Sequence, residues 1–77
     1  MKEKVIEILS GLRPEFDFAT DGLNFMEEGM LDSFDMVSLV SELEGQFAIT
    51  IDGVDIVPEN FSTLDSIVNL LQKKGVC

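Results

Sequence analysis

The sequence predicts an all-α fold, a small bundle of three to four helices with a long first loop. Three observations predict it. Apolar residues recur at helical spacing in three separate segments, two of those segments open on capping signals, and 77 residues leave room for one domain with a small core. A single domain is therefore expected over residues 1–77. Its helices fall at about 2–12, 33–47 and 63–74, with a loop at 13–31 and a loop and short helix at 48–61.

In the first helix, Val5, Ile8, Leu9 and Leu12 stand at i, i+3, i+4 and i+7, leaving Lys2, Lys4 and Glu7 for the outer side. Gly11 and then Pro14 end it. From residue 13 to residue 31 the period is lost, and Phe16, Phe18, Leu23, Phe25, Met26 and Met30 lie scattered among Asp17, Asp21, Gly22 and Gly29. This reads as a loop held down by aromatic anchors. Loops of that length in so small a domain are more often functional than idle.

The second helix carries Met36, Val40, Leu43 and Phe47 at i, i+4, i+7 and i+11. Asp32 is its expected cap, Asp35 three residues on completes a capping-box-like pair, and Leu31 and Met36 occupy the two positions of a hydrophobic staple. Both aspartates also suit the positive end of the helix dipole. After Phe47 the pattern is locally ambiguous, because Phe47, Ile49 and Ile51 alternate and Asp52-Gly53 leads into Val54 and Ile56, a hairpin signal. A lone pair of strands is marginal unless it packs on something, and no third strand is evident. A loop with a short helix is the expectation, the hairpin its local alternative. The last helix has Ser62 as its expected cap, Asp65 three positions later, and Leu64, Ile67, Val68 and Leu71 as its apolar stripe. Lys73 and Lys74 suit its negative end, and Gly75 stops it.

Fifteen acids, five bases and no histidine give a formal charge of −10. The bases are Lys2, Lys4, Arg13, Lys73 and Lys74, so residues 14 to 72 hold thirteen acids and no base. That sign is wrong for nucleic acid and for an anionic membrane surface. No apolar run exceeds three residues, which excludes a transmembrane helix or signal peptide in this sequence and points to a soluble, cytosolic protein without membrane insertion. The one cysteine, Cys77, has no internal disulfide partner. Without histidine there is no Ser-His or Cys-His pair and no imidazole metal ligand, so the chain is not expected to be an enzyme.

Asp32-Ser33-Phe34-Asp35 is the first candidate site. A serine at the mouth of a helix is exposed and faces backbone N–H groups and a favourable dipole, which suits a phosphate diester. Asp and Ser are also ordinary capping residues, and on local grounds that reading stands beside the functional one.

The run Gly29-Met30-Leu31-Asp32-Ser33-Phe34-Asp35-Met36-Val37-Ser38-Leu39-Val40-Ser41-Glu42-Leu43-Glu44 resembles the acyl carrier protein family, in which an Asp-Ser-Leu-like element opens the second helix and a Leu-Glu-x-x-Phe-like stretch closes it. Phe47, Ile49-Thr50-Ile51 and then Phe61 to Leu71 extend the resemblance over nearly the whole chain. It implies an acyl-carrier-type bundle with 4′-phosphopantetheine, taken from coenzyme A, attached covalently to Ser33. A phosphopantetheinyl transferase using a divalent metal would supply the activation that Ser33 lacks. The implied function is to carry an acyl group as a thioester among enzymes of fatty acid, polyketide or related biosynthesis. Asp32 would orient the helix mouth, Phe34 would shield the root of the arm, and Asp35, Glu42 and Glu44 would meet basic docking patches on the loading and transferring enzymes. The carrier itself would be a monomer.

Departures from the family pattern bear on cargo and partners. Ser38 and Gly45 stand where fatty-acid carriers usually have acids, and Phe34 where they usually have leucine. Leu31-Asp32-Ser33-Phe34 also resembles the stand-alone aminoacyl carriers, D-alanyl carriers among them, and this is the alternative reading of the cargo. Val37, Val40 and Leu43 read as core that could also line space for an acyl chain. Two rivals come from other classes. One is an acidic interaction module whose Ser33 is only a cap. The other is a calcium loop with Asp17, Asp21, Gly22 and Glu28 at positions one, five, six and twelve, which Ala19 at position three and Asn24 at position eight weaken.

Overall fold

The computed structural model describes residues 2–19 and 22–76, so Asp21 of the calcium alternative and Cys77 lie outside the described residues. Four α-helices follow in order: α1 (Lys2–Leu12), α2 (Ser33–Phe47), α3 (Pro58–Phe61) and α4 (Leu64–Lys73), with a 3-10 turn at Gly53–Asp55 between α2 and α3. No strand occurs among the described residues. The fold is the all-α bundle of acyl-carrier type with a long first loop.

The apolar stripes meet in one core. Val5, Ile8 and Leu9 of α1 are buried with Leu39, Val40 and Leu43 of α2, Phe61 of α3, and Ile67, Leu70 and Leu71 of α4. α1 packs on both α2 and α4, and α3 on α4. Val37 departs from the α2 stripe: it is 62% exposed, so of the three residues suited to line an internal space only Val40 and Leu43 face inward.

The long first loop is held by its aromatics. Phe18, Phe25, Met30 and Leu31 are buried, with the Phe18 and Phe25 rings edge to face at 5.1 Å and Phe16 edge-on to Phe18 at 6.3 Å. Polar turns shape it as well. Asn24 Oδ1 accepts the Met26 and Glu27 amides at 3.1 and 3.0 Å, and the Phe25 carbonyl accepts those of Met30 and Leu31 at 2.9 and 3.1 Å. Asp17 Oδ1 takes the Ala19 amide at 3.0 Å, and no group of three or more potential metal ligands forms among the described residues.

The hairpin alternative fails at its first residue. Ala48 takes a left-handed conformation (φ 54°) at the end of α2, and the Ile49 amide turns back to the Glu44 carbonyl at 3.3 Å, so the run from Phe47 to Ile51 cannot continue as a strand. Asp52-Gly53 then winds into the 3-10 turn instead of a two-residue hairpin, and Lys74 pins that turn through Asp52 (3.2 Å) and Asp55 (2.8 Å). α4 is capped one residue later than the sequence predicts. Thr63 Oγ1 accepts the Ser66 amide at 3.0 Å and Ser66 Oγ the Thr63 amide at 3.2 Å, a capping box, while the Ser62 hydroxyl donates to the Pro58 carbonyl and so serves the end of α3.

Candidate functional site

The mouth of α2 is built by two aspartates on either side of Ser33 and Phe34. Asp32 has extended backbone and Asp32 Oδ1 accepts the Asp35 amide at 2.9 Å, while Asp35 Oδ2 accepts the Asp32 amide at 3.2 Å. This reciprocal pair satisfies two of the amides that a helix start leaves without intrahelical partners. Leu31, just before it, is buried, and Met36, just after, packs against the core, which sets the angle at which the chain enters the helix.

Ser33 is the first residue of α2 and is exposed. Its neighbour Phe34 is 85% exposed, large apolar surface placed directly beside the hydroxyl. The remaining polar features of the mouth come from across the molecule. Arg13, one residue past α1, donates from Nε to Asp35 Oδ2 at 2.9 Å and places Nη2 2.7 Å from the same oxygen and 3.6 Å from Asp32 Oδ2. That guanidinium holds the Asp35 carboxyl below the usual carboxylate range, against the opposing push of burial, with the Asp32 amide adding to the lowering. In the sequence Arg13 is only one of five bases. Its sole signal there is that, with Lys73 at the other end, it borders the base-free stretch of residues 14 to 72.

The other acids of α2 are not gathered at this end. Glu42 and Glu44 stand roughly 13 and 16 Å farther along the helix axis. Glu42 is exposed and lines an open groove of about 260 Å³ between α1 and α2, with Lys4, Glu7, Ile8, Leu12 and Gln46 on its walls. Glu44 is half-buried and turned inward, its Oε2 accepting the Ile51 amide at 2.8 Å. Of the three acids expected to meet partners, Asp35 and Glu44 are thus occupied within the chain, and Asp35 has only 15% of its side chain exposed.

The arrangement fits a phosphodiester at Ser33. The hydroxyl is open to solvent at the start of a 15-residue helix, where unpaired amides and the dipole favour an anion, and the two flanking carboxylates are tied to backbone and to Arg13. Among the described residues no helix is long and apolar enough to cross a membrane.

Comparison with known proteins bears on the same chemistry. Residues 3–71 match the family described as phosphopantetheine attachment site. The chain is 32% identical over 75 residues to the D-alanyl carrier protein of Lactococcus lactis subsp. cremoris, covering 96% of this chain and 95% of that one. It is 32% identical over 72 residues to the D-alanyl carrier protein of Bacillus velezensis, covering 91% of each. A capped helix mouth that suits a phosphodiester and a family match over most of the chain lead to one conclusion: the chain belongs to the phosphopantetheine-attachment family, carrier proteins that bear covalent 4′-phosphopantetheine.

Proposed function

We propose that this protein is an aminoacyl carrier of the D-alanyl type, with 4′-phosphopantetheine attached to Ser33. The observation that carries the site is the exposed hydroxyl of Ser33 as first residue of a helix whose cap is closed on both sides of it. The resemblance to fatty-acid and polyketide carriers puts an acyl cargo first. The names of the relatives favour the aminoacyl alternative instead. Two further features support a small polar cargo: Phe34 in the position after the serine, and the charged walls that Lys4, Glu7 and Glu42 give the α1–α2 groove.

In this reading the Ser33 hydroxyl supplies the oxygen that bonds to the pantetheine-bearing phosphorus of coenzyme A. The phosphoanhydride bond breaks, adenosine 3′,5′-bisphosphate leaves with its electron pair, and the proton passes to a base of the transferase. Asp32 and Asp35 hold the backbone on which that oxygen sits. Once attached, the group supplies a thiol on a flexible arm, to which the carried amino acid is joined through its carboxyl. Phe34 and Val37 form the apolar surface beside the arm, and Glu42, about 13 Å farther along α2, adds an exposed charge at the α1–α2 groove. The transferase and the enzymes that load and unload the arm meet the carrier there. Asp35 and Glu44 act on docking by keeping this surface in shape. The chain works as one domain over residues 1–77, as a monomer in the cytosol, without catalytic residues of its own.

Incubating the apo protein with coenzyme A, magnesium and a broad-specificity phosphopantetheinyl transferase should add one phosphopantetheine to the intact mass, and none to Ser33→Ala. The holo protein should then take D-alanine from ATP and a D-alanine-adenylating ligase, and not malonyl groups from malonyl-coenzyme A and a malonyl transferase. Malonyl loading without alanyl loading would return the cargo to the acyl class. A folded protein that takes no phosphopantetheine would make it an acidic interaction module.

A further inference from the structure

The groups around Ser33 form a single network centred on one oxygen. Asp35 Oδ2 receives Arg13 Nε at 2.9 Å, Arg13 Nη2 at 2.7 Å and the Asp32 amide at 3.2 Å. Asp32 in turn accepts the Asp35 amide at 2.9 Å, and its second oxygen lies 3.6 Å from Arg13 Nη2. Ser33 therefore sits in a short backbone loop closed by the two aspartates, and Arg13 braces that loop from outside α2. The brace is itself well placed. The Arg13 amide donates to the Leu9 carbonyl at 2.9 Å and its carbonyl accepts the Phe16 amide at 3.2 Å, so its backbone is an extension of α1.

Charge gives the same residue a second role. A hydroxyl flanked by two carboxylates is a poor approach for the diphosphate of coenzyme A, since anions at this spacing repel it. The guanidinium, which also places Nη1 3.4 Å from Glu15 Oε2, offsets part of the negative charge at the mouth, at the border of a stretch of thirteen acids that contains no base. A lysine would offset the charge but, as a point donor, would not supply the planar Nε and Nη2 pair that fixes Asp35.

We propose that Arg13 is a positioning residue for the modification of Ser33: by gripping Asp35 and offsetting the paired carboxylates, it sets the helix mouth to accept a phosphodiester. The proposal rests on the reading of Ser33 as the attachment residue. Its test is the rate at which the full-length apo chain gains phosphopantetheine, followed by intact mass with coenzyme A, magnesium and a broad-specificity transferase. The original chain, Arg13→Gln, Arg13→Lys, Lys74→Gln and Ser33→Ala are compared at equal helicity by circular dichroism. Lys74→Gln removes a cation that also pairs with two acids, but away from the mouth.

Arg13→Gln should be slower by about tenfold, as expected for a nucleophile whose placement has loosened. Arg13→Lys should fall between it and the original, and Lys74→Gln should match the original. Arg13→Gln at the original rate overturns the proposal, and so does equal slowing in Lys74→Gln, which would reduce Arg13 to general stabilisation. If Arg13→Gln does not fold, Arg13→Lys carries the comparison, and the original rate in that variant overturns the proposal. No addition to the original chain, or addition to Ser33→Ala, overturns the reading of Ser33 and this inference with it.

Discussion

The Glu44 carboxylate accepts the amide of Ile51 at 2.8 Å, seven residues farther along the chain, while the Glu44 carbonyl accepts the amide of Ile49 at 3.3 Å. One residue thus ends α2 with its backbone and directs the departing chain with its side chain. Replacing it with alanine leaves the Ile51 amide without its acceptor, a loss of about 1–2 kcal/mol. Glu44→Gln keeps an acceptor oxygen in place and should lie much closer to the original. Urea unfolding of the two variants measures the difference. Equal losses would mean that the charge of Glu44 matters more than its hydrogen bond.

Acid should weaken the fold through Asp35. Its carboxyl is held below the usual range by Arg13, so the folded state favours the ionised form more than the unfolded chain does. That contribution is complete above the ordinary aspartate value, about pH 4, and is lost as the pH falls through the lower folded value. Thermal melts from pH 7 downward should show a declining midpoint below about pH 4. Asp35→Asn should be less stable at pH 7 and show a shallower decline. A decline as steep as the original's would assign the acid limb to other carboxylates.

The apolar surface beside Ser33 should matter to partners and not to folding. Phe34 and Val37 are 85% and 62% exposed, so truncating either to alanine changes unfolding stability by no more than about 0.5 kcal/mol. The same variants should slow loading of the holo protein by an adenylating ligase severalfold, through KM. Glu42→Gln should lessen the dependence of loading on salt, because an exposed charge acts through screened, long-range attraction. Unchanged loading in Phe34→Ala and Val37→Ala would move the docking surface elsewhere.

Ala48 is the one described non-glycine residue with positive φ, at 54°. A left-handed alanine carries a steric cost of roughly 1–2 kcal/mol that glycine does not, partly offset by the greater freedom of glycine in the unfolded chain. Ala48→Gly should therefore raise stability by about 0.5–1 kcal/mol in urea unfolding. A loss would show that the methyl group makes contacts outweighing the strain.

What could be read from the sequence follows the range of the forces involved. The stripes of Val5, Ile8 and Leu9 and of Ile67 and Leu71 announce themselves within two helical turns, and each of those residues is buried. The Asp32–Asp35 box is equally local, and the second helix begins where it says. The stretch after Phe47 was open to two readings because its outcome depends on Lys74, more than twenty residues away, and on a left-handed alanine that has no sequence signal. Ser62 and Thr63 are adjacent candidates for one cap, and only the competing demand of the Pro58 carbonyl separates them. At the site, Ser33 and its flanking acids were legible as a motif. Arg13 was not, since its partner Asp35 lies 22 residues on and no periodicity connects them. Nor could the inward turn of Glu44 be told from an acid on an open face.

Arg13 on the mouth of α2 and Lys74 on the 3-10 turn add ion pairs to a fold whose helices and first loop otherwise meet through buried hydrocarbon. Salt weakens the first kind of contact and leaves the second largely intact. Rising ionic strength should then loosen these two pins before the core, leaving the mouth of α2 that presents Ser33 more yielding than the rest of the helix.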